Sequence, residues 1–336
     1  MISHAAGNET RPKLVDRFGR SIEYLRLSVT DRCDLRCTYC MPKGFKGFEE
    51  PEDWLTFDEI ERLLAAFARL GTSRIRMTGG EPLLRRNLSE LAGRIARLPG
   101  IRDLSLSTNA TRLDRYAESL KAAGVSRINV SLDSLDAECM EKITGHDSLP
   151  KIMAGIMAGK AAGFSPIKIN MVALRGINDH EIDGMVEFCI AHGFILRLIE
   201  AMPMGSTGQR ASFLDLGPIQ ARLKEKFDLR PQAAELGGGP ARYLTTADGN
   251  ANIGFITPMS QHFCATCNRV RLAVDGTLYL CLGQEEKFEF RPLLRGGASD
   301  AELEAAIRVA IELKPQKHDF REKPEKVIRF MSQTGG

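Results

Sequence analysis

The stretch Arg32-Cys33-Asp34-Leu35-Arg36-Cys37-Thr38-Tyr39-Cys40-Met41-Pro42 sets three cysteines at C-x3-C-x2-C spacing on one short loop. Thiolates so spaced can converge on a single inorganic centre. A cubane iron–sulfur cluster that only carries electrons takes four protein ligands. Three ligands leave one iron open to a small molecule. Zinc is the competing reading, but its ligands usually come as two spaced pairs, and no histidine lies near this loop. A disulfide is weaker still, because three cysteines cannot pair.

The loop resembles the signature of the radical S-adenosylmethionine (radical SAM) enzymes, C-x3-C-x-aromatic-C, with Tyr39 as the aromatic. The resemblance implies a [4Fe–4S] cluster whose open iron chelates the amino and carboxylate groups of SAM. It also implies one-electron cleavage of the sulfonium to methionine and a 5′-deoxyadenosyl radical. The cofactor carries that chemistry, and the protein supplies position and shielding.

Outward from the loop, residues 22–29 alternate and read as a strand that runs straight into it. Apolar spacing predicts helices over 57–70, 88–98, 113–123, 137–144, 149–162 and 179–192. Further strands are expected at 74–78, 103–108, 127–132, 167–172 and 194–200. Strand and helix alternate six times, which predicts an α/β fold with a parallel sheet and right-handed crossovers. Six units are too few for a closed eight-stranded barrel. They suit the open three-quarter (βα)6 TIM-like barrel that the resemblance implies. Chemistry then belongs at the C-terminal strand ends, where the cysteine loop and Gly79-Gly80-Glu81-Pro82 both fall.

A Gly-rich loop at 203–208, a helix at 216–227 and the run 237–240 mark a change of domain. The expectation is a core over 1–235, beginning with a polar arm at 1–20, and a C-terminal α+β iron–sulfur domain over 236–336. Short strands are expected near 241–244, 251–256, 269–273 and 277–281, the last two joined by a hairpin turn at Asp275-Gly276. A helix over 300–311 and a basic tail end the chain.

The 336 residues are 43% hydrophobic and 26% charged, as in a soluble globular protein. The net charge of +3 is too small to argue for nucleic-acid binding. The first twenty residues have no apolar core of a secretory signal, and no run of about eighteen apolar residues occurs. We therefore expect a cytoplasmic protein that neither spans membranes nor binds nucleic acid. The basic residues of 312–329, including Lys314 and Arg329, alternate with acids and read as a solvated face. Six of the eight cysteines fall in two groups of three, while Cys139 and Cys189 read as buried small hydrophobes.

Strand residues alternate sides. One face carries Tyr24, Arg26 and Ser28, then Arg74, Arg76 and Thr78, then Lys168, Asn170 and Arg197; the other is apolar. The apolar set should face the helices and the cationic set the lumen. Unpaired cations in a closed interior cost several kcal/mol each, so an anion is expected among them. Triphosphate suits the arginines. The alternative is pairing with Asp133 and Glu200 of the same cavity.

Cys264 and Cys267 form a C-x2-C pair, and Cys281 follows thirteen residues after it. A structural zinc with His262 as fourth ligand is about as good a reading of this spacing as a second cluster. Arg269 and Arg271, which point the same way on one strand, favour the cluster, since a structural zinc has no use for two parallel cations.

Taken with Leu25-Arg26-Leu27-Ser28-Val29-Thr30-Asp31-Arg32, Thr78-Gly79-Gly80-Glu81-Pro82-Leu83 and the terminal Gly335-Gly336, these motifs resemble, over nearly the whole chain, the GTP 3′,8-cyclases of molybdenum cofactor biosynthesis, the protein A family of that pathway. The resemblance implies a radical SAM lyase that closes GTP into (8S)-3′,8-cyclo-7,8-dihydroguanosine 5′-triphosphate. It implies that Cys33, Cys37 and Cys40 hold the SAM cluster, and that Tyr39, Gly80, Ser131 and Met202 contact SAM. It implies that Arg26, Arg76, Ser107, Lys168, Arg269 and Arg271 bind GTP. Cys264, Cys267 and Cys281 would hold a second [4Fe–4S] cluster, and Arg269, Arg271, Gly335 and Gly336 would assist the chemistry. It further implies a homodimer, a flavodoxin- or ferredoxin-like reductant, and a following pathway enzyme that takes the product. Ala110 stands where the family usually has Gly, and Ser107 where it often has Thr. Two other readings compete. One is a peptide-modifying radical SAM maturase with an auxiliary cluster, and the other is a non-enzymatic iron–sulfur or zinc protein.

Overall fold

The apolar positions of the expected strands, Leu25, Leu27, Ile75, Met77, Ile169, Leu196 and Leu198, are all fully buried in one core. Their strands are β1 (Tyr24–Ser28), β2 (Arg74–Thr78), β3 (Asp103–Thr108), β4 (Arg127–Ser131), β5 (Ile167–Ala173) and β6 (Ile195–Glu200). Each pairs in parallel with the one before it, with helices in the crossovers. The first crossover helix, Phe57–Arg69, starts at a reciprocal Thr56–Glu59 capping box and buries Ile60, Leu63, Leu64 and Phe67. The computed structural model describes residues 13–41, 51–232 and 238–335.

Six short strands complete the sheet: β7 (Arg230–Pro231), β8 (Arg242–Thr245), β9 (Asn252–Ile256), β10 (Arg269–Leu272), β11 (Thr277–Tyr279) and β12 (Lys287–Glu289). The sheet order is β12-β11-β10-β1-β2-β3-β4-β5-β6-β9-β8-β7, so the barrel stays open. β9 pairs in parallel with β6, and β10 in parallel with β1. Strands from beyond residue 236 therefore continue both edges of the six-stranded core, and the sheet runs across the expected domain boundary. β7 and β12 were not expected; strands this short carry too few residues for alternation to register. A short helix, Gly205–Gln209, lies within the segment read as a Gly-rich loop, and another, Met331–Thr334, lies near the end of the chain.

Parallel pairing of β10 with β1 has a consequence for the cysteines. The first cysteine loop follows the C-terminal end of β1, whereas Cys264 and Cys267 precede the N-terminal end of β10. The two sets thus sit at opposite ends of one lumen.

The described part of the polar arm, residues 13–20, is mostly exposed but anchored by buried Leu14, Asp16 and Arg20, with Val15 bridged to Ser21. Arg20 is paired with Asp16 at 2.6 Å, both side chains nearly inaccessible. Its guanidinium also donates to the carbonyls of Cys264, Pro315 and Gln316 at 2.7–3.0 Å. One buried arginine so ties the N-terminal strap to the second cysteine loop. Removing one partner of a buried pair strands the other charge, at a cost of about 3–5 kcal/mol. Arg20→Met should lower unfolding stability by that order in denaturant titration. Adding Asp16→Asn should recover part of it; no recovery would mean the pair carries no coupling.

Candidate active site between two cysteine loops

The first cysteine loop hangs on the end of helix Ala137–Thr144: the Arg36 and Thr38 amides donate to the carbonyls of Thr144 and Ile143 at 2.8 and 2.9 Å. Cys33, Cys37 and Cys40 line a cavity of about 990 Å³ together with Gly80, Ser131 and Met202. Burial pushes the Cys40 thiol up to about 12, and burial also raises those of Cys33 and Cys37. Three thiols so placed stay neutral unless a cationic centre holds them as thiolates. Tetrahedral zinc would hold its sulfurs about 3.8 Å apart, from Zn–S bonds of about 2.3 Å. Among the described residues, neither cysteine triad brings its three sulfurs mutually within 4.8 Å.

Tyr39 donates its hydroxyl to Asp133 at 2.7 Å, and Asp133 also accepts the Val172 amide at 2.8 Å. Burial lifts this carboxyl to about 6. The two glycines of Gly79-Gly80-Glu81-Pro82 have a structural reason as well as a ligand-facing one. A Cβ on Gly80 would lie 2.1 Å from the Arg32 carbonyl oxygen, because the amides of Gly80 and Glu81 bond the Thr30 and Arg32 carbonyls. The glycine locks the loops after β1 and β2 together while its open side faces the cavity. Ala110 adopts φ 61, the left-handed conformation a glycine would supply, so that turn is kept.

A second cavity of about 960 Å³ carries Cys264, Cys267 and Cys281 together with Arg26, Arg76, Arg197, Arg269 and Arg271. Register places Arg271, Arg26 and Arg76 side by side on three adjacent strands. Burial, then mutual repulsion, lowers Arg26 to about 9 and Arg271 well below its usual value. Arginine does not deprotonate in proteins, so these shifts measure an unmet demand for negative charge. Among the described residues the Nε atoms of Arg26 and Arg197 are buried with no hydrogen-bond partner. The acids offered as alternative partners are engaged elsewhere. Asp133 holds Tyr39 and Val172, and Glu200 accepts the amides of Met259 and Ser260 at 2.9 and 3.0 Å.

Two expected substrate contacts lie outside this cavity's wall. Lys168, 2% exposed, rests against Tyr243 with Nζ 3.3 Å from the phenol oxygen. Burial, then Arg197 and Arg127, lower it to about 7. Ser107 lines the first cavity instead, its hydroxyl buried and unpartnered. Asn170, Ile199 and Met202 line both cavities and are where the two meet.

Lys314 was misread as part of a solvated face. It is 1% exposed, donates to the carbonyls of Leu280 and Arg269 at 2.6 and 2.9 Å, and stands 3.8 Å from the Cys267 sulfur. Burial opposes ionisation of Cys267, but Arg269 and Lys314 outweigh it and bring the thiol down to about 6. Arg329, also buried, donates to the carbonyls of Cys281, Leu282 and Gln284 at 2.6–2.7 Å. Charge alternation along the chain conceals both, since each faces carbonyls of a distant hairpin. Near the pair, His262, Cys264 and His318 bring one ligand atom each within 4.8 Å of the others. His262 therefore faces His318 and Cys264 rather than the whole cysteine triad.

The end of the chain enters the lumen. Thr334 is fully buried, Met331 lines the first cavity, and Arg271 donates to the Thr334 carbonyl at 3.2 Å and also to that of Gly335. Gly335 has φ 72, and a Cβ there would meet Thr78. Gly336 lies outside the described residues.

The radical SAM superfamily model matches residues 27–189, and the molybdenum cofactor synthesis C model matches residues 194–320. The chain is 47% identical over 347 aligned positions to a GTP 3′,8-cyclase of Paracoccus denitrificans (strain Pd 1222), covering 100% of both. It is 45% identical to a GTP 3′,8-cyclase of Pseudomonas putida (strain W619), covering 96% of this chain and 98% of that one. Among solved structures it resembles Streptococcus suis SuiB bound to S-adenosylmethionine, with a TM-score of 0.63 at 15% identity, over 94% of this chain and 78% of that one. That last likeness is one of fold. With two cysteine triads at the ends of a cation-lined partial barrel, and relatives of this identity along its full length, the chain belongs to the radical SAM superfamily and, within it, to the GTP 3′,8-cyclase family.

Proposed function

We propose that the protein converts GTP to (8S)-3′,8-cyclo-7,8-dihydroguanosine 5′-triphosphate, the first step of molybdenum cofactor biosynthesis. The observation that carries this reading is the joining of two cysteine-lined cavities at Asn170, Ile199 and Met202, with uncompensated arginines in one of them. Cys33, Cys37 and Cys40 hold one [4Fe–4S] cluster beside SAM, and Cys264, Cys267 and Cys281 hold the second. When bound, the first cluster and SAM would supply a primary carbon radical that takes the hydrogen from ribose C3′; C3′ would then bond to C8 of the guanine, and one electron from the reductant with one proton would complete the 7,8-dihydro product.

This chain's residues position and shield the substrate. Arg26, Arg76, Arg269 and Arg271 neutralise the triphosphate, and Lys168 adds a charge that the phosphate itself restores. Tyr39, Gly80, Ser131 and Met202 seat SAM, while the Ser107 hydroxyl lies at the border toward GTP. The buried tail, held by Arg271, brings Gly335 to the lumen and closes it against water, which a primary radical requires. Residues 1–235 carry the SAM chemistry and residues 236–336 the auxiliary cluster. The enzyme works in the cytoplasm as a homodimer, takes electrons from a flavodoxin- or ferredoxin-like donor, and passes its product to the next enzyme.

Reconstituted, oxygen-free protein given SAM, a strong reductant and GTP deuterated at C3′ should place deuterium in 5′-deoxyadenosine, read by mass spectrometry. Cleavage of SAM without transfer would remove GTP as substrate and favour the peptide-modifying reading. Iron analysis should give about eight ions per chain, falling to about four in Cys281→Ala; an unchanged count would remove the second cluster. Burial and the charge of Arg197 lower Lys168 to about 7, and the negative charge of a polyphosphate held by the arginines of the neighbouring cavity raises it. Binding of GTP at about pH 8 should then take up protons, and affinity should fall as pH rises above about 7. Calorimetry in buffers of different ionisation enthalpy measures this, and proton release would contradict it.

A further inference from the structure

The first cluster needs one electron per turnover, and its cavity opens inward, toward SAM and GTP. The electron must cross the outer wall. Leu35, 4% exposed, is that wall in one place: it lines the inner cavity and also an outer hollow of about 840 Å³. Asp34 lies in the same hollow. Its Oδ1 accepts from the Asn109 amide at 2.8 Å, and that amide reaches the Cys33 sulfur at 3.9 Å. Thr111 donates to the other carboxylate oxygen at 2.7 Å, and Arg112 lies 3.8 Å from it. The Asp34 charge is thus satisfied, and the hollow is linked to a cluster ligand through one hydrogen-bonded amide.

The rim is basic. Arg112, Arg115 and Lys151 stand around the hollow with His146, faced by Asp147. Through Arg112 the hollow joins a second one, lined by Arg32, Arg85 and Arg86, with no carboxylate among its lining residues. Among the described residues Arg86, Arg115 and Lys151, all exposed, make no ion pair. Along the two joined hollows basic residues outnumber the aspartates Asp34 and Asp147, and such an excess of one sign raises encounter rates with a partner of opposite charge.

We propose that this double hollow is the docking surface for an acidic, low-potential one-electron carrier protein, which reduces the cluster of Cys33, Cys37 and Cys40 across Leu35 and Asn109. The inference rests on the radical SAM reading of that cluster. The carrier loses one electron and the cluster gains it; no proton moves and no bond forms or breaks in that step.

The test uses reconstituted holoenzyme and an acidic flavodoxin as probe. Binding of oxidised flavodoxin is followed by calorimetry at low and raised salt, which needs no turnover. Formation of 5′-deoxyadenosine is followed with reduced flavodoxin and, separately, with dithionite. For Arg115→Glu/Lys151→Glu, the flavodoxin-driven rate should fall about tenfold or more, binding should weaken and lose its salt dependence, and the dithionite-driven rate should hold. Lys224→Glu/Arg308→Glu, the same charge change at exposed positions elsewhere, should behave as wild type. The milder Arg115→Gln/Lys151→Gln should show the same pattern to a smaller degree and covers any folding loss in the reversal. Wild-type binding and rates in Arg115→Glu/Lys151→Glu, an equal loss in Lys224→Glu/Arg308→Glu, or no flavodoxin binding by wild type would each overturn the docking surface. Failure of wild type to cleave SAM with dithionite would instead sink the enzyme reading, while the binding arm still decides the surface.

Discussion

Uncompensated charge in a closed lumen is the constraint on which this structure depends. Arg26, Arg76 and Arg271 stand abreast on three strands, buried, and among the described residues no carboxylate pairs with them. Such an arrangement costs several kcal/mol and survives only because the surrounding sheet is held firmly enough to bear it. The buried apolar face of the same strands supplies that rigidity. A bound anion offsets that cost, so the buried arginines favour a polyanionic ligand.

The thiols show the complementary case. At the first loop, burial raises the pKa values of the cysteines; at the second, Arg269 and Lys314 outweigh burial and bring Cys267 down to about 6. The loops therefore meet a metal centre in different electrostatic states. Their separation to opposite ends of the lumen leaves room between them for a nucleotide. Asn170, Ile199 and Met202 form the common wall across which one end can act on the other.

Much of this was legible in the residues. Alternation along Leu25-Arg26-Leu27 and Arg74-Ile75-Arg76 separates a helix-facing side from a lumen side, because a strand has only two faces. What pattern reading missed depends on distance along the chain. Lys314 and Arg329 sit in a stretch whose charges alternate like a solvated surface, yet their heads reach carbonyls of the hairpin near Cys281. Arg20, in a polar terminus, is buried because three carbonyls from two distant segments converge on it.

The amino-acid sequence by itself determined the two cysteine triads, the six alternating units and the cationic side of the strands, since spacing and periodicity are local properties of the chain. Tertiary structure alone decided that β9 and β10 extend the two edges of the core sheet, and that the cysteine sets face each other from opposite ends. It also decided that the tail returns to Arg271 and that Asp133 and Glu200 are spent on other donors. These are outcomes of long-range pairing, in which backbone hydrogen bonds and buried charge are satisfied by partners hundreds of residues away, and no local pattern encodes which partner wins.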